Sequence, residues 1–205
     1  MEVSIIPRQL TFAEQLAAGF FSDQGWGAEP ITKKQGDVLG KLFPSQEDEL
    51  CVTAFKGQTP IGHCKANNWL KFSHEININV NVLLNTNTDP DTNTFLTLVR
   101  SVIDFQFYAL RVFLYGAGFR WNTIAHNCGL MVVSTHGNLG IATRLVAESD
   151  KLLASKGYKA VVVETTNIKS KKAFLKNGYV EYKEYYLPEY GIDIDDNYSI
   201  LYKIL

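Results

Sequence analysis

Cysteine is scarce: Cys51, Cys64 and Cys128 are an odd number, and no two stand in C-x-x-C spacing. A disulfide framework and a cysteine-built zinc site are thereby excluded, and the expectation is reduced, mostly buried thiols and no metal. Charge of either sign is not in excess, with Lys+Arg at 20 against Asp+Glu at 21. That balance removes the bulk electrostatic argument for nucleic acid or an anionic membrane, so any anionic ligand must be held locally. No run approaches the ~20 unbroken apolar residues of a membrane span. The opening MEVSIIPRQL has no basic stretch followed by an apolar one, so the expectation is a cytoplasmic protein. Repeats and low-complexity tracts are missing as well. What is present is a globular balance, 46% hydrophobic and 20% charged over 205 residues, enough to bury a core in one domain.

Val3, Ile5 and Ile6 before Pro7 read as a first strand. Thr11 with Glu14 forms a T-x-x-E capping box that opens a helix, and Thr32 with Gln35 repeats the pattern before Val38, Leu39, Leu42 and Phe43. Two strand-like runs around the turn 56–59 read as a hairpin. Ile76, Ile78, Val80 and Val82 alternate with Asn77, Asn79 and Asn81, which predicts a strand with one buried face. The Asn-, Thr- and Asp-rich stretch 85–93 reads as an exposed loop. Beyond it Leu96, Val99, Ile103, Phe107, Leu110 and Leu114 recur at helical spacing, an inserted helical segment at about 94–117.

The C-terminal half gives an apolar strand at 129–133, a helix over 138–156 stopped by Gly157, and a second apolar strand at 160–163. Unbroken apolar strands are covered on both faces, so this is a βαβ unit with a parallel pair. Asn167 caps a short helix ending at Gly178, and 179–186 with 198–205 read as a closing antiparallel pair. Between the first parallel strand and its helix lies Ser134-Thr135-His136-Gly137-Asn138-Leu139-Gly140-Ile141-Ala142-Thr143. A Gly-containing turn feeding a helix N-terminus suits an anion, because the amides of the first turn are unpaired and the dipole end is positive. Neither G-x-x-x-x-G-K-[ST] nor G-x-G-x-x-G is present, so nucleotide hydrolysis and dinucleotide binding lack a motif.

The run from Leu130 to Tyr179 resembles motifs A and B of the GNAT superfamily of N-acetyltransferases, whose members bind acetyl coenzyme A. Gly140 and Ala142 match [QR]-x-x-G-x-[GA] after a V-V strand, with Gly137 where the family usually has Gln or Arg. Asn167 through Tyr179 resembles N-x-x-[AS]-x-x-x-[YF]-x-x-x-G-[FY], with Phe174 where members often have Tyr. The resemblance implies a mixed α/β fold: a mostly antiparallel sheet of about six or seven strands with one parallel βαβ pair, flanked by helices. It implies acetyl-CoA as cosubstrate, its pantetheine along Met131, Val132 and Val133. The pyrophosphate would lie at Gly137, Asn138, Leu139, Gly140, Ile141, Ala142 and Thr143. Asn167 would cap the last helix, and Lys171 or Lys172 would meet a phosphate.

Phe20-Phe21 followed by Glu29-Pro30-Ile31 resembles the F-x-x-x-E-P-[LI] segment of insect-type arylalkylamine N-acetyltransferases, with a longer spacer here. That resemblance makes Glu29 the base, places the family's serine pair on Thr166 and Ser170, and offers Phe21, Trp26, Tyr185 and Tyr186 for an apolar acceptor pocket. The chemistry needs a base for the amine, donors for the oxyanion and no covalent nucleophile. With Phe174 unable to protonate the thiolate, the acid is Ser170, Tyr179, water or nothing. His63, His74, His126 and His136 lack metal-ligand spacing and read as structural or surface groups. The expected protein is a monomer or homodimer that acetylates a small primary amine. Two alternatives remain: acetylation of a protein N-terminus or lysine, and a non-catalytic acyl-CoA-binding module.

Overall fold

The computed structural model describes residues 2–18, 20, 32–42 and 50–205. Seven strands form one sheet: β1 (Val3–Pro7), β2 (Leu50–Lys56), β3 (Thr59–Asn68), β4 (Ile124–Val132), β5 (Ala160–Thr165), β6 (Val180–Tyr186) and β7 (Asn197–Ile204). Their order is β1-β2-β3-β4-β5-β7-β6. Every neighbouring pair is antiparallel except β4 with β5. This is the mixed sheet expected. The helices are α1 (Phe12–Ala17), α2 (Lys33–Leu42), α3 (Trp69–Thr86), α4 (Pro90–Ala117), α5 (Ile141–Ser155) and α6 (Ile168–Lys176).

Both capping boxes form. Thr11 N donates to Glu14 Oε2 at 2.8 Å and Glu14 N to Thr11 Oγ1 at 3.2 Å. Thr32 and Gln35 repeat the geometry at 2.8 and 3.2 Å. Each pair satisfies two amides that the helix start leaves open.

The strand expected at 76–82 is part of α3. Ile76 and Val80 are buried while Ile78 and Val82 are about half exposed, at 48% and 52%, so burial recurs every fourth residue rather than every second. Leu83 and Leu84 continue that stripe against the core. They stand seven and eight positions after Ile76, which is helical spacing, and the alternation with Asn over 76–82 is only a seven-residue window on it. The loop expected at 85–93 is also mostly helix. Asp89 accepts from Thr92 N at 2.8 Å as the N-cap of α4, with Pro90 at the first helical position, where its missing amide costs nothing. The apolar stripe of α4 is buried as its spacing requires, from Leu96 and Val99 through Ile103 to Leu110 and Leu114.

The core lies on both faces of the sheet. Ile124, Ala160 and Val162 pack with α3 and α4, while Ala125, Val161 and Val163 pack on the opposite face with Val146 and Leu153 of α5 and Phe174 of α6. The unbroken apolar run of β5 thus meets cover on both sides. α5 approaches the sheet closely at Gly62, where a Cβ would sit 2.9 Å from Leu145 Cδ1 and 3.2 Å from Ile141 Cγ2.

Candidate active site

The parallel register of β4 and β5 runs only from Ile124↔Ala160 to Asn127↔Val163. The expected parallel partner, 129–133, is the part of β4 that has already left β5. Beyond the fork, among the described residues, β4 pairs only with β3, up to Val132↔Gly62, and β5 only with β7, at Glu164↔Ile200 and Thr165↔Ser199. The cause is a bulge. Asn127 opposes Ala66 and Gly129 opposes Lys65, so Cys128 is the extra residue between them, and an extra residue bends its strand. Among the described residues, one backbone edge of β4 at Met131 and Val132 therefore faces the fork without a strand beside it.

At the end of β4 the chain turns through 134–136 and enters α5. Asn138 (φ 61°) and Gly140 (φ 73°) are both left-handed, and Gly140 is the N-cap, with no side chain capping the helix. The first helical bond is Arg144 N to Gly140 O at 3.1 Å, so the amides of Ile141, Ala142 and Thr143 precede any intrahelical partner. They gather with those of Leu139 and Gly140 into a set of open donors at the positive end of a 15-residue helix. Gly137 is extended, with φ −62°, so its backbone makes no demand for glycine. The departure from Gln or Arg removes a side chain and leaves the amides in place.

α6 lies against this loop. Asn177 Nδ2 donates to Thr143 O and to Ala173 O, both at 2.9 Å, tying the end of α6 to the first turn of α5. Lys172 and Lys176 are exposed on α6 without an ion pair among the described residues. Lys171 is engaged: its Nζ lies 2.7 Å from both Glu181 and Glu184. Partial burial works against its charge, but those hydrogen bonds hold the ammonium above lysine's ordinary value. Asn167 caps α6 as expected, accepting from Lys169 N at 2.9 Å and Ser170 N at 3.2 Å. Ser170 and Thr166, at the mouth of the fork on the β5 side, are half-buried.

Tyr179 drops out as a proton donor. Its hydroxyl donates to Asp150 at 2.7 Å, Lys203 Nζ holds the other Asp150 oxygen at 2.7 Å, and burial and the Asp150 charge raise the phenol far above its ordinary value. Phe174 is fully buried against Tyr179. None of the three cysteines is in a disulfide, two of them are buried, and burial pushes the Cys64 thiol up to about 11.

Glu29, Phe21 and Trp26 lie outside the described residues. Tyr186 is exposed and donates to Asp195 at 2.7 Å. Tyr185 is buried in an aromatic cluster with Phe105, Tyr190 and Tyr198. Burial first, and then the neighbouring tyrosines, push its phenol up to about 12.

The α3 and α4 face of the fork holds groups that sequence reading set aside. His126 of β4 is fully buried and its Nε2 lies 2.6 Å from Glu164 Oε2 of β5, itself 4% exposed. Gln106 of α4 donates to the other oxygen, Oε1, at 3.0 Å. On β3, Asn67 is the cross-strand neighbour of His126. Its Nδ2 donates to Cys128 Sγ at 3.4 Å, and its buried Oδ1 has no partner among the described residues. His63, four residues before Asn67 on β3 and nearer the loop, shares Thr53 Oγ1 at 2.9 Å, and Thr53 donates to Arg8 O at 2.6 Å. Thr53 therefore accepts from His63 Nδ1–H, which leaves the buried Nε2 as an acceptor without a partner among the described residues. Burial and the nearby Lys65 charge lower His63 to about 4, so it is neutral at pH 7. Among the described residues no His, Cys, Asp and Glu are grouped to hold a metal ion, and no helix is long and apolar enough to cross a membrane.

No protein-family model matches the chain, and no curated protein matches it. Solved structures do. A mosquito arylalkylamine N-acetyltransferase (like 5b) superposes with TM-score 0.65 at 14% identity, covering 100% of both chains. An agmatine N-acetyltransferase gives 0.63 at 13%, again over 100% of both. The ribosomal-protein-S18-alanine N-acetyltransferase of Escherichia coli gives 0.54 at 11%, over 99% of this chain and 94% of that one. The fold is that of the GNAT N-acetyltransferases. At these identities the likeness is one of fold, and the three proteins act on different acceptors.

Proposed function

We propose that the chain, as a single domain, is an acetyl-CoA-dependent N-acetyltransferase acting on a small, arylalkylamine-like primary amine by direct attack in a ternary complex. The observation that carries this reading is the uncapped, donor-rich start of α5 beside a forked pair of strands. Acetyl-CoA fits the residues present. The amides of Leu139 to Thr143 would take the pyrophosphate, with Gly137 and Asn138 shaping the turn. Lys172 and Lys176 would add positive charge, and Lys171, already between two carboxylates, would brace α6. The free edge at Met131, Val132 and Val133 would take the pantetheine amides as a strand takes a partner. The fork between β4 and β5 is then the place for the thioester.

The acceptor enters from the α3 and α4 face, where the exposed Tyr190 covers a buried aromatic cluster of Phe105, Tyr185 and Tyr198. Glu29 is the carboxylate assigned to meet the ammonium. Ser170 and Thr166, with Tyr179 committed to Asp150, are the hydroxyls assigned to the departing thiolate. Two fold neighbours whose names give arylalkylamine and agmatine as acceptors support a small amine over a protein.

Purified protein with acetyl-CoA should release thiol only when an amine is added. A panel of arylalkylamines, agmatine, polyamines and peptides identifies the class. Release with peptides alone would replace this reading by protein acetylation. Silence across the panel, with acetyl-CoA bound by calorimetry, would make the chain a binding module.

A further inference from the structure

The His126 and Glu164 pair is a costly thing to bury. Removing two ionisable groups from water is repaid only by close geometry and further hydrogen bonds. Here the contact is 2.6 Å and Gln106 supplies the extra bond. The pair also sits where the register of β4 and β5 ends, since His126 is paired with Val162 and Glu164 follows the last paired residue, Val163. A second observation is independent of it: the unpartnered Asn67 Oδ1, on a residue 1% exposed, stands across the strand pair from His126. A buried acceptor without a donor is expensive, and an ammonium, or a water passing its proton, is a donor that would satisfy it.

We infer that His126 and Glu164, with Glu164 positioned by Gln106 from α4, form the group that takes the proton of the acceptor's ammonium, directly or through one water held at Asn67 Oδ1. The inference rests on the acetyltransferase reading and assigns the proton step within it. The ammonium gives one proton to the pair, leaving imidazolium against carboxylate. The free amine attacks the thioester carbonyl, the C–N bond forms and the C–S bond breaks. The second proton, on the nitrogen of the tetrahedral intermediate, leaves with the coenzyme A thiolate as thiol, and the pair returns its own proton to water. The other charged or titratable groups on this face include His63 and Lys65 of β3, Cys128 of β4, Tyr185 of β6 and Tyr198 of β7, the last kept protonated by burial first and the Glu164 charge second. α4 is thereby part of the active site.

The test begins with the unmodified protein: kcat/KM against pH for amines of graded basicity. If the pair acts on the bound ammonium, the ascending limb stays at one pH for every amine and only the descending limb follows the amine. An ascending limb that follows each amine's own basicity would overturn the inference, because the amine would then arrive already neutral. Two variants identify the group. Glu164→Gln withdraws the charge that favours imidazolium and should move the ascending limb to lower pH. Gln106→Met removes a donor from the carboxylate and should move it to higher pH, on a half-exposed helix position that tolerates the change. A limb unmoved by Gln106→Met, or moved only by Glu29→Gln, would assign the proton elsewhere. Thiol release by no amine at all would instead be the failure of the acetyltransferase reading.

Discussion

The two faces of the sheet are equipped by different means. Toward α5 and α6 the proposed donor site is backbone: open amides from Leu139 to Thr143, set by left-handed turns at Asn138 and Gly140. Toward α3 and α4 the groups are side chains, His63 and Asn67 from β3, His126 from β4, Glu164 from β5 and Gln106 from α4. A backbone site tolerates a change of side chain and fails when the chain cannot adopt its conformation. A side-chain site does the reverse, and the difference can be broken or sharpened one residue at a time.

The largest expected effect is on stability, at the side-chain face. His63 is held at about 4 in the fold against 6.5 ordinarily. Between those values the unfolded chain binds a proton that the folded one refuses. Stability should therefore fall as pH drops from about 6.5 to about 4, by about 3 kcal/mol. Denaturant melts of the wild type across that window measure it, and His63→Gln should flatten the curve.

Next, His126→Gln keeps the size of a buried polar side chain and removes its basicity. Turnover at neutral pH should fall by roughly 100-fold, while acetyl-CoA binding by calorimetry stays within about twofold of wild type. A matching loss of acetyl-CoA affinity would erase the division between the faces.

At the backbone face, Gly140→Val imposes a β-branched side chain at φ 73°. Acetyl-CoA affinity should drop by roughly tenfold or more, about 1.4 kcal/mol, and Leu139→Ala, which keeps the amide, should cost far less. Smallest is the charge on α6: replacing Lys172 and Lys176 together by Gln should raise the KM for acetyl-CoA by a few-fold and flatten its salt dependence.

The same contrast governs what the sequence disclosed. Capping boxes at Thr11/Glu14 and Thr32/Gln35, the cap at Asn167 and the turn at Gly140 are local, so a short window contains the whole physical cause. The pairing of β5 could also be placed, because cover on both faces leaves an unbroken apolar run. Residues 69–86 deceived because a window of alternating Ile and Asn satisfies a strand, and only Leu83 and Leu84 extend it to helical spacing. The cap of α4 was legible in Asp89-Pro90 and was lost in a polar stretch that reads as loop. The fork itself had no signal, since Ile124-Ala125-His126-Asn127 runs from two apolar residues into two polar ones without a strand period, and its bulge is defined only against β3. His126 and Glu164 are 38 residues apart, and Gln106 comes from a third element, so no spacing could announce them. Glu29 has a local resemblance and lies outside the described residues.

In the proposed enzyme, donor and acceptor are bound by opposite faces of one fork, the first by backbone and the second by side chains. Amide hydrogen exchange, read residue by residue, tests it most directly. Acetyl-CoA alone should slow exchange at 138–143 and along 131–133, and adding an arylalkylamine to the coenzyme A complex should then slow exchange near Asn67 and His126. If acetyl-CoA leaves 138–143 unchanged while protecting amides elsewhere, the assignment of the donor to the start of α5 is contradicted, and the division between the faces falls with it.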